Sequence, residues 1–167
     1  MRTVIHALVY LALGLWLGAL IFFGAILAPI AFRALPPLFA NPALGMHAAG
    51  LVVGGSLVHL HWMGLLCAVL ALLLLLLGRA HYRTVIPQAL LVLAMLLLTA
   101  YSQFSIIPRM DTARVSVGGN IDAVAPDNPG RQIFDRLHAV SVRVEMTVLL
   151  CGVGTLFTTA HFARKDI

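Results

Sequence analysis

The chain has 167 residues, of which 61% are hydrophobic and only 10% charged, and its mean hydropathy is +1.00. Soluble domains carry about 25% charged residues, so a soluble fold is excluded, and the length fits a single membrane domain, 1–167, with four spans of about 20 residues. The net charge of +5 does not point to nucleic acid, because the basic residues sit mainly at the ends of apolar segments and no basic aromatic patch accompanies them.

After Met1-Arg2 an apolar run extends from Val4 to about Ile30. A signal peptide has an apolar core of about 7–15 residues, so this longer run reads as a retained first span over about 4–34. Pro29 lies near its outer end, where a missing N–H frees the carbonyl of Ala25 and kinks a helix. Pro36-Pro37 closes the segment, and Asn41-Pro42 has the form of a cap followed by a first-turn proline. From Pro42 the pattern stays helical to Gly78, roughly 37 residues or about 55 Å, against a hydrocarbon core of about 30 Å. The expectation is a short interfacial helix that breaks near Gly50, Gly54 and Gly55, then a second span over 51–77. Gly78 to Arg83 reads as a tight polar turn. A third span covers 85–107 and stops at Pro108. Residues 109–130 form the polar loop, with turn signals at Gly118-Gly119-Asn120 and Asp127-Asn128-Pro129-Gly130. The fourth span covers 132–162, on a helix capped by Asp127 or Asn128. The fold class is thus an all-α, integral membrane four-helix bundle.

Orientation follows from charge. Arg2, Arg79, Arg83, Arg164 and Lys165 gather on one side. Arg33, Arg109, Arg114 and Arg131 gather on the other, within a longer segment that also holds Asp111, Asp122 and Asp127. The positive-inside rule places both termini in the cytoplasm and the 109–130 loop outside.

The most informative cluster lies in the fourth span: Asp135, Arg136, His138, Ser141, Arg143 and Glu145. Ionisable groups within a span are costly and need a partner, a wet cavity or an interface. On a helix, His138, Ser141 and Glu145 share a face with Phe134, while Arg136 and Arg143 lie roughly opposite. The functional reading turns His138 and Glu145 inward as a proton relay or cation site. The structural alternative has His138 bonding a carbonyl and the arginines snorkelling to headgroups. Glu145 decides between them, because a lone carboxylate at that depth must be protonated or paired.

In the second span Ser56, His59, Met63 and Cys67 form one stripe, and imidazole, thioether and thiolate suit a soft ion such as Cu(I). Met and Cys at helical spacing also serve as ordinary packing. His59 and His138 could be axial haem ligands from facing helices. His61 points away from the stripe and is expected to bond locally. His6 and His161 lie near span ends. Cys67 and Cys151 are both inside apolar segments, so no disulfide framework is expected. Gly14-x-x-x-Gly18 and Gly50-x-x-x-Gly54 match the close-packing pattern of membrane helices. Hydrolase elbows and phosphate-binding loops are absent from the sequence, so an enzyme is the less favoured reading.

Leu15-Trp16-Leu17-Gly18 with Phe22-Phe23, Ala28-Pro29-x-x-Phe32, Ser56-Leu57 with His59, Ile107-Pro108-Arg109, and Phe134-Asp135-Arg136-Leu137-His138-x-x-Ser141 occur in an order that resembles the small four-span membrane proteins grouped with transmembrane protein 205. The resemblance covers nearly the whole chain and is greatest to the bacterial members. It implies a compact four-helix bundle in a bacterial cytoplasmic membrane and no settled activity. A looser fold-level likeness to copper-resistance and haem-pathway membrane proteins fixes no residue role.

Together these observations favour a small membrane protein that handles a small cation, a proton or an apolar ligand in an intrabundle pocket lined by Trp16, His59, His138, Ser141 and Glu145. Asp135, Arg136 and Arg143 would be the embedded or interfacial charges. No cofactor is expected on this reading. The alternatives are a haem- or copper-binding redox protein, with His59, Met63 and Cys67 as metal ligands, or an accessory subunit of a larger membrane complex. The lipid bilayer is the partner common to all of them, with a homo-oligomer or larger complex possible through the glycine faces.

Overall fold

The computed structural model describes residues 2–77 and 82–163. The core of the turn expected over 78–83, with Arg79 in it, and the terminal Arg164 and Lys165 lie outside the described residues. Among the described residues every regular element is helical. Four segments are long and apolar enough to cross a membrane: Val4–Leu38, Pro42–Leu77, Val85–Ser116 and Pro129–Thr158.

The first span is composite: helix α1 (Arg2–Phe22), a π-helical turn (Phe23–Leu27) and helix α2 (Ala28–Ala34). The third repeats the device, with α4 (Tyr82–Tyr101), a π-turn (Ser102–Ile106) and α5 (Ile107–Ser116). The cause is in the sequence. Pro29 and Pro108 each occupy the second position of the helix after the π-turn, and neither can donate to the carbonyl four residues back. The ladder slips by one residue instead, with Ala28 N–H donating to Phe23 O and Ile107 N–H to Ser102 O. Pro108 therefore does not stop the third span, which continues to Ser116, beyond the expected end at 107.

The second span is a single helix, α3 (Pro42–Leu77). Asn41 caps it, accepting from Ala43 N–H at 3.0 Å. The break expected at Gly50, Gly54 and Gly55 does not occur. Each helical glycine costs about 1 kcal/mol relative to alanine, which is less than exposing unpaired backbone groups to hydrocarbon. The fourth span belongs to α6 (Pro129–Ala163). Its cap is Asn128, whose Oδ1 accepts from Gly130 N–H at 2.8 Å.

Consecutive spans pack side by side, α1 on α3, α3 on α4 and α4 on α6, and the ring closes where α1 meets α6. Up-and-down order follows from the short connections. The core fills the half of the bundle nearer the termini: Leu13, Trp16 and Leu17 from α1, Cys67, Ala68 and Ala71 from α3, Met95 from α4 and Val148 from α6. Small residues set the spacing. A Cβ at Gly64 would collide with the Trp16 indole, and one at Gly152 with the Leu17 side chain. The outer surface is apolar, with Leu11, Leu66, Leu73, Leu97 and Leu150 exposed, as a lipid-facing surface requires.

At the opposite end the chain between α5 and α6 folds over the bundle. Gly118 and Gly119 take left-handed backbone angles (φ 81 and 92°). A 3-10 turn at Ile121–Ala123 lies against the start of α3, where Asn120 Nδ2 donates to Ala43 O at 3.4 Å.

Candidate functional site

The buried polar centre of the molecule is His61. It is 1% exposed, and both ring nitrogens are engaged across the bundle. Nδ1 lies 3.0 Å from Oε1 of Gln103 on the second π-turn, and Nε2 lies 2.8 Å from Oε1 of Glu145 on α6. Each of the three groups comes from a different span. The π-turn contributes directly, because the extra residue it inserts rotates the helix and sets the facing of Gln103, a use often found at functional sites. His61 was expected to bond locally. It is instead the partner that Glu145 required.

Gln103 Oε1 and Glu145 Oε1 are both placed to accept from an imidazole N–H, so a protonated ring nitrogen on either side donates across the bundle. An imidazole facing the carboxylate at this distance limits the cost of burying either group in a low-dielectric site. Glu145 Oε2 is buried and has no hydrogen-bond partner among the described residues. The cluster lies about 20–27 Å along the helices from the described span ends nearer the termini, inside a core of about 30 Å and towards the loop side.

Above the pair the bundle is hollow. A cavity of about 930 Å³ lies between the outer half of the first span, α3, α5, the 3-10 turn and α6, and Glu145 is in its wall. That volume is at the upper end of the ~300–1,000 Å³ usual for ligand sites. Two features create it. Beyond Phe22 the first span leaves α6 and packs on α3. Gly24, Gly50, Gly54 and Gly55 also present no side chain to the space, and a Cβ on any of them would touch nothing within 4 Å. Gly50 and Gly54 thus hollow the bundle rather than tighten it. Gly14 and Gly18 also face open space, on the outside of α1.

Along α6, Phe134, His138, Ser141 and Glu145 all line the cavity, on the common face the spacing indicates. The Phe134 and His138 rings stack nearly parallel (6°, centroids 6.3 Å apart). Arg114 of α5 lies 5.2 Å over Phe134 and pairs with Asp111 at 3.1 Å. A line of polar and aromatic groups therefore descends from the loop end to the carboxylate.

Of the other residues singled out in the sequence, Trp16 is buried in the core against Gly64, and His59 is exposed outside the cavity wall. His59 Nδ1 is 2.8 Å from the carbonyl of Gly55, one turn back. Cys67 is in the core and Met63 packs against it. His59 and His138 do not share the cavity, since only His138 lines it. Asp135 lines the cavity and approaches Arg131 at 3.8 Å, whereas Arg136 and Arg143 are exposed on the other face of α6. Among the described residues no three His, Cys, Asp or Glu side chains converge as a metal-ligand group.

Sequence reasoning missed His61 and Gln103. The signal for His61 was the company it keeps. Gly64, Cys67, Ala68 and Ala71 share its side of α3, and small residues mark the face that packs on other membrane helices.

Residues 11–116 match the family model described as a domain of unknown function (DUF4149). The match covers most of the first membrane segment and all of the second and third, and it includes His61 and Gln103, while Glu145 follows it in the chain. No curated protein and no solved structure matches the chain.

Proposed function

The chain belongs to the DUF4149 family, and from that premise we propose that it is a non-enzymatic binding protein of the membrane, holding an apolar small molecule in its intrabundle cavity above the His61–Glu145 pair. One observation carries the reading: about 930 Å³ of space walled mainly by apolar side chains and glycines, with Glu145 of the buried pair in the wall. Pockets of that composition bind through apolar contact and use a few polar groups for orientation. Below the pair Trp16, Met95 and Val148 close the bundle, so the cavity is a dead end. This favours capture of a ligand over conduction through a continuous path.

The proposal also includes both termini on the cytoplasmic side, supported by the charge bias of the sequence. Kinship with the transmembrane protein 205 group is part of it too, supported by the order of the motifs alone. The haem and copper alternatives gain no support from the placement of His59.

The test is saturable binding of a fluorescent apolar amine, N-phenyl-1-naphthylamine, to the protein in lipid nanodiscs. Gly54→Phe places a ring in the open space that Gly54 faces and should abolish saturable binding while circular dichroism stays unchanged. Probe uptake no greater than in empty nanodiscs would refute the reading.

A further inference from the structure

We propose that the ligand of this cavity is a bilayer phospholipid of the loop-side leaflet, which passes one acyl chain in sideways between the first span and α6 while its headgroup stays at the loop end. The inference rests on the binding reading above and adds the class of ligand and its route of entry.

The position of the opening is the first support. At the loop end the cavity is roofed: the 3-10 turn lies against the start of α3, and its Ile121 is buried while lining the space. Towards the termini the core closes it. Along the sides α2 packs on α3 and α5 on α6, whereas beyond Phe22 the first span has left α6. The residues that flank this seam line the cavity and are exposed as well: Ile21, Gly24 and Ala25 on the first span, Val142 and Met146 on α6. Counted from the described span ends nearer the termini, Ile21, Val142 and Met146 lie about 18–26 Å along their helices, inside a hydrocarbon core of about 30 Å. What reaches such an opening is lipid rather than water, because apolar space stays dry.

The wall is also graded along its length. His47, Asp111, Arg114, Asp122, Asp135 and His138 lie at the loop end, where Asp111 and Asp135 already face Arg114 and Arg131. The deep end is apolar, formed by Leu20, Leu57, Val58, Met146 and Leu149. Glu145 does not interrupt it, since Oε1 is held by His61 and Oε2 is buried. A ligand matched to this wall is polar at one end and apolar over the rest. On α6 the lining runs from Phe134 to Leu149, about 22 Å of helix. One leaflet of the hydrocarbon core is about 15 Å deep, so an extended acyl chain fits lengthwise.

Dispersion supplies the attraction. A chain already in the bilayer sheds no water on entering, because lipid tails are as apolar as the leucines of the wall. It gains close contact with side chains that otherwise face no atoms across the space. Gly24, Gly50, Gly54 and Gly55 supply the width, since a Cβ on any of them would meet nothing within 4 Å.

The experiment places the full chain in phosphatidylcholine nanodiscs containing a trace of phosphatidylcholine with a diazirine on one acyl chain, either at the chain end or beside the ester. After irradiation, labelled residues are located by mass spectrometry. The chain-end diazirine should label Leu57 and Leu149, which pack against the core, in addition to the outer Leu66 and Leu97. The ester-side diazirine should label the loop end of the cavity instead, at His47 and Phe134. Gly54→Phe should lower chain-end labelling of Leu149 at least about tenfold, a difference of about 1.4 kcal/mol, and leave Leu66 unchanged. If that variant does not fold, the order of labelling by the two diazirines on the unmodified protein decides the matter. Label confined to the outer leucines, or the reverse order with depth, while the naphthylamine probe still binds saturably, would overturn the phospholipid inference and leave the binding reading standing. A dimer in native mass spectrometry, with Leu57 and Leu149 unlabelled, would assign the opening to a second copy and overturn it too. Absence of cavity label together with absence of saturable probe uptake would overturn both readings.

Discussion

Removal of His61 should be far more costly than neutralisation of Glu145. His61 is 1% exposed and makes two cross-helix contacts at 2.8 and 3.0 Å. His61→Ala strips Glu145 of its protein partner, leaves Gln103 Oε1 without its donor and opens a void in the bundle. Removing one member of a buried ion pair costs about 3–5 kcal/mol. Glu145→Gln keeps an amide that can turn its oxygen or its NH2 towards Nε2, whichever the ring tautomer requires, so its loss is that of one charge-assisted bond made neutral, about 1 kcal/mol. The double variant His61→Leu/Glu145→Leu removes both polar groups and fills the space, and should recover most of the loss. Unfolding in mixed micelles of mild detergent and dodecyl sulfate, followed by circular dichroism, measures all three. A coupling energy of at least about 2 kcal/mol between the two sites is expected from the double-mutant cycle completed by the single variants His61→Leu and Glu145→Leu in the same assay. Additive losses, or a His61→Ala variant as stable as the parent, would refute the view that the pair is one buried unit.

The glycines provide a second test by the same unfolding assay. Gly64→Val drives a side chain into the Trp16 indole and should destabilise by about 1–3 kcal/mol, whereas Gly18→Ala, which meets open space, should be neutral or slightly stabilising. Asn128→Ala removes the acceptor for the Gly130 and Arg131 N–H groups at the start of α6 and should cost about 0.5–2 kcal/mol. Gln103→Leu leaves His61 Nδ1 without its acceptor and should cost about 1–3 kcal/mol. The same substitution at the exposed Gln132, in the first turn of α6, should be silent.

The four spans were legible because membrane helices are written in length and hydropathy, and the start of α6 because Asn128-Pro129 carries a cap. The course of α3 was not. It is apolar around its whole circumference, so periodicity gave no phase, and the choice between His59 and His61 as the inward residue fell to the Met63–Cys67 stripe. Packing settles it through Gly64, which admits Trp16 and turns His61 to the interior. The continuation through Pro108 was hidden for a related reason. Proline was read as a stop, whereas in hydrocarbon the released carbonyl is best accommodated by a π-turn within a continuing helix. Glu145 stood out correctly as the group that needed an explanation, but its partner lies 84 residues away in sequence, beyond the reach of any local pattern. The glycines of the cavity were read as packing motifs because spacing alone does not distinguish a close contact from a void.

Cysteine accessibility in reconstituted vesicles tests the open cavity most directly. In a background with Cys67 and Cys151 replaced by alanine, Ser141→Cys places a thiol in the cavity wall, and Val148→Cys places one two turns deeper in the closed core. A small membrane-permeant maleimide should label position 141 at least about tenfold faster than position 148, and N-phenyl-1-naphthylamine should protect position 141. Equal labelling of the two positions, or no labelling of either in folded protein, would contradict an open cavity that ends at the His61–Glu145 pair.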